Sequence, residues 1–372
     1  MSGSAPGDGE VLLQLKNVRL RFKTYAGDVK ALDGITFAIR KREALGLVGE
    51  SGCGKSVTAL TIVGLLPENA QVSDGEILLS GKNLLKSTPE EMRKIRANNV
   101  AMVFQDPTTF LNPVLTIGDQ LEEVFLLNPE RLARVAAKRR TEDAQKKAGT
   151  SGERTKKEAR ESSLAMLSKA EQRKVARELS IEVLKKVRLP DAERILDDYP
   201  HELSGGMRQR CMIAMALARK PDLFIADEIT TALDVTIQAQ ILELLRELKR
   251  EIAGSTLLIT HDLGVVAELC DRVAVMYAGN VVELAGVEDL FANPLHPYTQ
   301  GLMRAIPMIG RPLERLETIP GSVPDLIYPP SGCRFHPRCP MALDRCEVEK
   351  PELIHTGKDH TVACHLYEEK KS

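Results

Sequence analysis

The stretch ALGLVGESGCGKS, residues 44–56, decides the fold. Its first five residues form a short, continuous apolar run, which is typical of a buried parallel strand. Residues 49–56 then match the pattern G-x-x-x-x-G-K-[ST], and a helix-compatible stretch follows at residues 57–66. A strand, a glycine-rich turn and a helix in this order predict a loop whose backbone N–H groups surround phosphate oxygens at the helix N-terminus.

The loop also carries the side chains that nucleotide phosphates and their metal ion require. Lys55 is expected to meet the β- and γ-phosphates, and the Ser56 hydroxyl is expected to ligate a Mg²⁺ ion that bridges them. Cys53 stands where no particular side chain is required, and we assign it no chemistry, although a thiol there could make the site sensitive to thiol reagents.

Two carboxylates, Asp227 and Glu228, follow a second apolar run at residues 223–226. Carboxylates at the end of a buried strand are costly unless a cation or a proton transfer needs them. The predicted phosphate site supplies both tasks. Asp227 is expected to hold a water of the Mg²⁺ ion, and Glu228 to polarise the water that attacks the γ-phosphate. A helix cap is the alternative interpretation of such a pair.

Further apolar runs, separated by helical stretches, predict an α/β fold with a core sheet of mostly parallel strands. They occupy residues 44–48, 100–104, 223–226, 256–259 and 273–276. Before and beside them, near-alternating apolar residues at 13–22 and 35–39 predict an antiparallel β edge subdomain, so that the sheets of the fold are mixed.

Composition excludes several classes of protein. Hydrophobic residues make up 43% of the 372 residues, so the chain can bury a large core. The formal net charge of -1 indicates no general affinity for nucleic acid or anionic lipid. The longest apolar run, residues 211–218, falls far short of the roughly 20 residues that span a bilayer. The polar, acidic residues 1–10 do not resemble a secretory signal, so a cytoplasmic protein is expected.

Between about residues 116 and 203 the sequence predicts a helical insert without a buried strand. It contains a charged insertion at about 131–175, mostly basic over residues 131–160. We interpret that stretch as a solvated helical hairpin turning at residues 149–152, with a nucleic-acid arm as the alternative. Beyond residue 286 prolines become frequent and the periodicity is lost, which indicates a C-terminal appendage over residues 291–372.

The motif LSGGMRQ at residues 203–209 resembles the signature sequence of ABC ATPases, and the order of the other motifs matches that family over about residues 11–290. The resemblance implies a phosphate-loop NTPase fold and ATP hydrolysis. By the same resemblance, Tyr25 is the aromatic residue that stacks on adenine, Gln105 is the Q-loop residue, Asp234 closes a D-loop with residues 232–233, and His261 is the switch histidine.

The resemblance also implies an ATP site that two chains share. The expected catalytic residues are Lys55, Glu228 and His261, and the expected Mg²⁺ ligands are Ser56, Gln105 and Asp227. The residues expected to contact ATP are Tyr25, Gly49, Ser51, Gly52, Cys53, Gly54, Lys55, Ser56, Val57, Gln105, Ser204, Gly205, Gly206, Gln209 and Asp234. A helix that opens at Gly205 would point its N-terminus at the γ-phosphate held by a second molecule, so one chain leaves its own site half built.

Four later motifs resemble the ATPases of oligopeptide and dipeptide importers: QDP at 105–107, LNP at 111–113, HPYT at 296–299 and GCRFHPRCP at 332–340. This resemblance implies a peripheral ATPase on the cytoplasmic side of the membrane that docks on two transmembrane permease subunits. It further implies a second homologous ATPase as heterodimer partner, an extracytoplasmic solute-binding protein, and no nucleic acid. Peptides are the expected cargo, with oligosaccharides or nickel as alternatives.

Four cysteines lie in the appendage without a secretory context, which favours metal binding over disulfides: Cys333, Cys339, Cys346 and Cys364. Their spacing contains no C-x-x-C pair, which disfavours Zn²⁺ relative to an iron–sulfur cluster but keeps it among the alternatives, together with unligated thiols. The resemblance to peptide importers points to a [4Fe–4S] cluster, which is the expectation, with Zn²⁺ as the alternative. Nearby histidines are interpreted as solvent-facing loop residues or substitute ligands: His336, His355, His360 and His365.

Two other functions stay open. A soluble ABC ATPase of DNA repair or translation would use the basic stretch at residues 131–160 and bind nucleic acid in a salt-dependent way. A regulatory cassette without hydrolysis would lack a catalytic residue, whereas Lys55, Asp227, Glu228 and His261 are all present.

Overall fold

The computed structural model describes residues 10–105, 110–148, 167–230, 234–251, 254–305, 319–357 and 359–368. They form two compact units. The described parts of residues 1–102, 222–228 and 245–372 make up the first unit, and those of residues 103–221 and 229–244 make up the second.

The strands are, in chain order, β1 (Val11–Thr24), β2 (Gly27–Arg40), β3 (Ala44–Val48), β4 (Ala70–Leu79), β5 (Lys82–Asn83), β6 (Val100–Val103), β7 (Leu223–Asp227), β8 (Ser255–Thr260), β9 (Arg272–Tyr277), β10 (Asn280–Gly286), β11 (Ile354–Gly357) and β12 (His360–Val362). The helices are α1 (Lys55–Val63), α2 (Pro89–Asn98), α3 (Ile117–Leu126), α4 (Pro129–Ala148), α5 (Lys169–Lys186), α6 (Ala192–Ile195), α7 (Gly205–Ala218), α8 (Val235–Glu251), α9 (Leu263–Leu269), α10 (Val287–Ala292), α11 (Pro297–Arg304) and α12 (Arg345–Val348).

Two sheets organise the first unit. The smaller one has the order β2-β1-β4-β5, and β1 pairs antiparallel with both β2 and β4. The larger one has the order β11-β12-β10-β9-β3-β8-β7-β6. In it, β3 pairs in parallel with β8 and β9, and β7 pairs in parallel with β8, whereas β10 is antiparallel to β9 and β12. The mixed α/β class that the sequence predicts is confirmed.

The hydrophobic core of the first unit draws on both sheets and on α1 and α2. All five residues of β3 are buried, as expected of a central parallel strand in a sheet that is covered on both faces. In β1, Leu13 and Leu15 have no exposed surface while Lys16 is exposed, which is the alternation expected of a sheet with one buried face. This core fixes the ends of β3, β7 and β8, where the candidate site lies.

The second unit is built from helices, apart from the end of β6, in the residues that the structure describes there. Thr116 caps α3 and Ser168 caps α5, each in a capping box that satisfies free N–H groups of the first turn. Helix α4 lies almost wholly within the charged insertion at about 131–175, and α5 begins inside it and continues beyond it. The turn predicted at residues 149–152 lies outside the described residues.

The C-terminal strands β11 and β12 are not predicted from the sequence. They extend the large sheet, since β12 pairs with β10. Next to this pairing Glu283, with no exposed surface, accepts hydrogen bonds from His360 Nε2 at 2.8 Å and from the His296 N–H at 2.9 Å. His360 is therefore a buried partner of a carboxylate and not the solvent-facing residue that the sequence suggests.

None of the helices in the described residues combines the length and the apolar character that crossing a membrane requires.

Candidate nucleotide site

The loop between β3 and α1 takes its shape from glycines that no other residue could replace without strain. Gly49 has a φ angle of 153°, and a Cβ atom there would lie 2.2 Å from the carbonyl oxygen of Met276. Gly54 has a φ angle of 107°, and its Cβ atom would lie 2.9 Å from Leu32 Cδ2. The glycines predicted from the motif thus let the chain turn closely against β9 and β2 before α1 begins.

Lys55, the first residue of α1, is 5% exposed, and its ammonium group stays inside the loop. Its Nζ atom donates hydrogen bonds to Gly49 O at 2.8 Å and to Glu50 O at 3.1 Å. The next residue, Ser56, donates from its Oγ atom to Asp227 Oδ1 at 3.1 Å. A buried ammonium at a helix N-terminus favours a phosphate group at this place.

Glu228 follows β7 in a left-handed backbone conformation, with a φ angle of 47°. Its N–H donates to Ile259 O at 2.9 Å, which ties it to β8. Its Oε1 atom lies 3.8 Å from Lys55 Nζ and 3.7 Å from His261 Nδ1. Non-glycine residues in this conformation are uncommon and concentrate at functional sites. The structure thus brings all three predicted catalytic residues together.

Burial raises the pKa of Asp227 to about 6. The charge of Glu228 raises this pKa as well, whereas the hydrogen bond from Ser56 and the charge of Lys55 lower it. A carboxylate that is costly to ionise gains the most from a cation placed beside it.

These residues fit a nucleotide with Mg²⁺. The Ser56 hydroxyl and the Asp227 carboxylate, 3.1 Å apart, are oxygen ligands of the kind that Mg²⁺ prefers, and phosphates and waters complete such sites in proteins. The glycine loop and Lys55 offer donors to the phosphates on the other side.

Cys53 has no exposed surface, and burial raises the pKa of its thiol. A buried, protonated thiol is a poor nucleophile. The sensitivity to thiol reagents that the sequence leaves open is therefore not expected in the folded chain.

The predicted contacts at the rim differ in exposure. Tyr25 lies in the turn between β1 and β2 with its ring fully exposed, which leaves both faces open for stacking. Ser51 is exposed in the loop, and Val57 is half-buried in α1. Gln105 lies two residues beyond β6, in the second unit, and is exposed. Residues 106–107 of the predicted QDP motif lie outside the described residues.

The signature residues begin α7 in the second unit. Ser204 caps the helix, since its Oγ atom accepts a hydrogen bond from the Met207 N–H at 3.3 Å. Gly205 and Gly206 form the first turn. Gln209, by contrast, is only 1% exposed, so we expect it to support helix packing and not to contact nucleotide, contrary to the sequence prediction.

Asp234 stands directly before α8 and accepts a hydrogen bond from the Ile237 N–H at 3.0 Å. It is exposed. The remaining D-loop residues, 232–233, lie outside the described residues.

The expected [4Fe–4S] cluster is a wrong prediction, and so is its Zn²⁺ alternative. Within the part of the chain that the structure describes, no group of three or more His, Cys, Asp or Glu side chains could hold a metal ion. All of the predicted ligands, Cys333, Cys339, Cys346 and Cys364, lie in that part and are free cysteines. Burial raises the pKa of Cys333 and of Cys364 to about 11. The sequence supplied the number of thiols but not their arrangement.

Two residues at the loop are missing from the sequence prediction. The Tyr298 hydroxyl accepts a hydrogen bond from the Glu50 N–H at 2.9 Å, and Arg338 donates to the Glu50 carboxylate. Tyr298 belongs to the HPYT motif and Arg338 to the GCRFHPRCP motif. Both motifs were recognisable in the sequence, but nothing there indicated that they reach the phosphate loop.

Comparison with known families gives two matches. The family described as "ABC transporter" matches residues 32–231. The family described as "Oligopeptide/dipeptide transporter, C-terminal region" matches residues 282–346.

Similar proteins extend over nearly the whole chain. The oligopeptide transport ATP-binding protein AppD of Bacillus subtilis (strain 168) is 46% identical over 96% of this chain and 97% of its own length. The dipeptide transport ATP-binding protein DppD of the same organism is 44% identical over 97% of this chain and 96% of its own length. Among solved structures, the ATP-binding cassette MJ0796, in a dimeric post-hydrolysis state bound to ADP and Pi, is 26% identical with a TM-score of 0.56. The matched region covers 74% of this chain and 99% of the MJ0796 chain.

Proposed function

This chain is an ATPase of the ABC transporter family and belongs to its oligopeptide and dipeptide transport ATP-binding proteins, and from that membership we propose that it powers the import of short peptides. The cargo proposal is supported by the peptide-transport names of the similar proteins and by the match in the C-terminal region. Oligosaccharides and nickel are the alternative cargoes.

The observation that carries the proposed chemistry is the meeting of Lys55, Glu228 and His261 beside the glycine loop. Glu228 acts as the general base that takes a proton from the water attacking the γ-phosphate. His261, 3.7 Å from its carboxylate, orients Glu228 and contacts the γ-phosphate. Lys55, 3.8 Å from the same carboxylate, compensates negative charge on the phosphates.

The nucleotide and its ion are assigned as follows. Mg²⁺, when bound, neutralises charge on the β- and γ-phosphates. Ser56, Asp227 and Gln105 are its proposed protein contacts, Tyr25 stacks on adenine, and the backbone N–H groups of Gly49 and of residues 51–57 bind the phosphates.

A second subunit completes the site. The N-terminus of α7, with Ser204, Gly205 and Gly206, meets the γ-phosphate bound to the facing ATPase, and Asp234 lies at that interface. A solved relative that is dimeric supports the pairing of two ATPase chains. We propose that the facing subunit is a second, homologous ATPase and that the pair docks on two membrane permeases on the cytoplasmic side, fed by an extracytoplasmic solute-binding protein.

We divide the chain accordingly into a tail at residues 1–10, a nucleotide-binding domain at 11–290 and an appendage at 291–372. The small antiparallel sheet forms the edge subdomain of that domain. Residues of about 116–203 form its helical insert, including the charged insertion at about 131–175.

Replacing Glu228 tests the catalytic assignment. Glu228→Gln keeps the shape of the site but removes the base, so we expect MgATP binding to persist and turnover to fall by about 10³-fold. Glu243→Gln in α8, which the proposed mechanism does not use, serves as the control. Release of phosphate at the parent rate by the Glu228 variant would refute the role of Glu228.

The cargo is tested in vesicles that contain this chain, its second ATPase and both permeases. We expect hydrolysis to be stimulated by the solute-binding protein loaded with short peptides. Stimulation by oligosaccharide or nickel, without any by peptides, would refute the peptide assignment while leaving the motor intact.

A further inference from the structure

The geometry points to Arg338, in the C-terminal appendage, as a positioning residue that holds the phosphate loop in its nucleotide-binding shape. This inference rests on the proposed nucleotide site. Its partner is Glu50, the second residue of the loop. The two residues are 288 positions apart in the sequence, and both lie in the first unit.

The contact between them is bidentate. Arg338 Nη1 donates to Glu50 Oε2 at 2.9 Å, and Nη2 donates to Glu50 Oε1 at 3.2 Å. The Arg338 side chain is 7% exposed and that of Glu50 is 27% exposed. Paired hydrogen bonds between a guanidinium and a carboxylate fix orientation as well as distance, and burial strengthens them.

Glu50 is held at every polar group that it has. Its carboxylate accepts from Arg338, its N–H donates to Tyr298 Oη, and its carbonyl oxygen accepts from Lys55 Nζ. Because Lys55 also donates to Gly49 O, the position of Glu50 decides where the lysine and the first turn of the loop can lie. Two of these three anchors come from beyond residue 290.

Arg338 is itself fixed by the appendage and by β9. Its Nε atom donates to Pro320 O at 2.8 Å, and Nη1 donates to the Tyr277 hydroxyl at 3.3 Å. Its guanidinium carbon lies 5.7 Å from the centre of the Tyr277 ring. A guanidinium with so many contacts does not follow a moving loop, so the loop adopts the position that Arg338 sets.

The ion pair between Arg338 and Glu50 affects nucleotide binding because Glu50 carries a negative charge. A carboxylate in the phosphate loop repels the phosphates unless a cation compensates it. Arg338 supplies that cation. Losing Arg338 should therefore weaken MgATP binding more than the chemical step, and removing the charge of Glu50 in the same molecule should restore binding.

The experiment measures MgATP affinity with a fluorescent nucleotide, together with KM and kcat, in the full chain. We expect Arg338→Met to raise Kd and KM about tenfold while kcat changes less than about threefold. Arg338→Lys, which keeps the charge but not the bidentate contact, should lie in between. The double variant Glu50→Gln/Arg338→Met should recover most of the affinity.

Arg272→Met is the matched control, since Arg272 and Glu43 form another buried ion pair, at 3.1 Å. Glu43 lies directly before β3, whereas the phosphate loop follows that strand. This control should lower the unfolding temperature without changing nucleotide affinity. Equal affinity in the parent and in Arg338→Met, or a double variant as weak as Arg338→Met alone, would overturn the inference. If Arg338→Met does not fold, Arg338→Lys decides the question by the same criteria. A parent chain that does not bind MgATP would instead refute the nucleotide site itself.

Discussion

Asp227 and Glu228 are neighbours in the sequence but lie in different surroundings. Asp227 is 5% exposed, ends a buried strand and accepts a hydrogen bond from Ser56. Glu228 turns out of the strand at a φ angle of 47° towards Lys55 and His261. One change in backbone direction therefore separates a carboxylate suited to a metal ion from one suited to take a proton.

The raised pKa of Asp227 makes stability depend on pH. Its pKa is about 6 in the folded chain against an ordinary value of 3.8, so the folded state keeps a proton that the unfolded state loses. The stabilising contribution of the protonated form is complete below pH 3.8 and is lost as the pH rises through 6. Above that pH the ionised group costs about 3 kcal/mol in the absence of a cation.

We therefore predict that Asp227→Asn, measured by thermal unfolding without nucleotide or Mg²⁺, is more stable than the parent and that its advantage grows between about pH 4 and about pH 7 and is constant at higher pH. Asp222→Asn, at an exposed position just before β7, is the control for removing a carboxylate from the protein surface. An advantage that does not vary with pH would contradict the assignment.

Helices α7 and α8 meet at a glycine in the second unit. A Cβ atom at Gly206 would lie 2.6 Å from Ile237 Cγ2. Ile237 stands in the first turn of α8, and its N–H is bound by Asp234. A larger residue at position 206 must therefore displace the beginning of α8, where the proposed dimer interface lies.

We predict that Gly206→Ala lowers ATP turnover about tenfold while nucleotide binding to the phosphate loop is kept. If packing is the cause, Gly206→Ala/Ile237→Ala should recover turnover, because the second change makes room for the new methyl group. Steady-state hydrolysis and fluorescent-nucleotide binding measure the two quantities. Failure of the double variant to recover would mean that the glycine backbone contacts the nucleotide directly.

Elements with strong local patterns are the ones that the sequence predicts well. The runs at residues 44–48 and 223–226 correspond to β3 and β7 to within one residue, because a strand buried on both faces needs continuous apolar residues. Strands β11 and β12 were missed, since three or four residues are too few to show a periodicity. Strand β12 forms by pairing with the edge of β10, and β11 pairs in turn with β12.

In the whole molecule, the phosphate loop and the signature helix belong to different units of one chain, and the proposed sites form between chains. Lys55→Ala should disable the site formed by this chain's own loop. Ser204→Arg should disable the site formed by the loop of the facing ATPase, because a large cation replaces the cap of α7.

We predict that the Glu228→Gln complex with an equally hydrolysis-deficient second ATPase traps about two nucleotides per pair, about one after either change, and none after both. Counting bound nucleotide in the purified complex tests this. If the chain with both changes still traps about one nucleotide per pair, as each single change does, the prediction is wrong. The phosphate loop and the signature motif of one chain would then serve the same site.

Local chemistry in the chain determined the nature of the site. The sequence alone shows three features of the site: a glycine pattern that only one loop shape satisfies, a lysine and a serine at the end of that loop, and carboxylates after a buried strand. Each of them can be predicted from its neighbours in the sequence. The packing of distant segments decided which side chains meet. Ser56 and Asp227 are 171 positions apart and Glu50 and Arg338 are 288 apart. Four cysteines are enough to hold a metal, but in the described structure they lack a metal-binding arrangement. The distance between residues that are far apart in the sequence depends on how whole elements pack, and the neighbouring residues do not predict it.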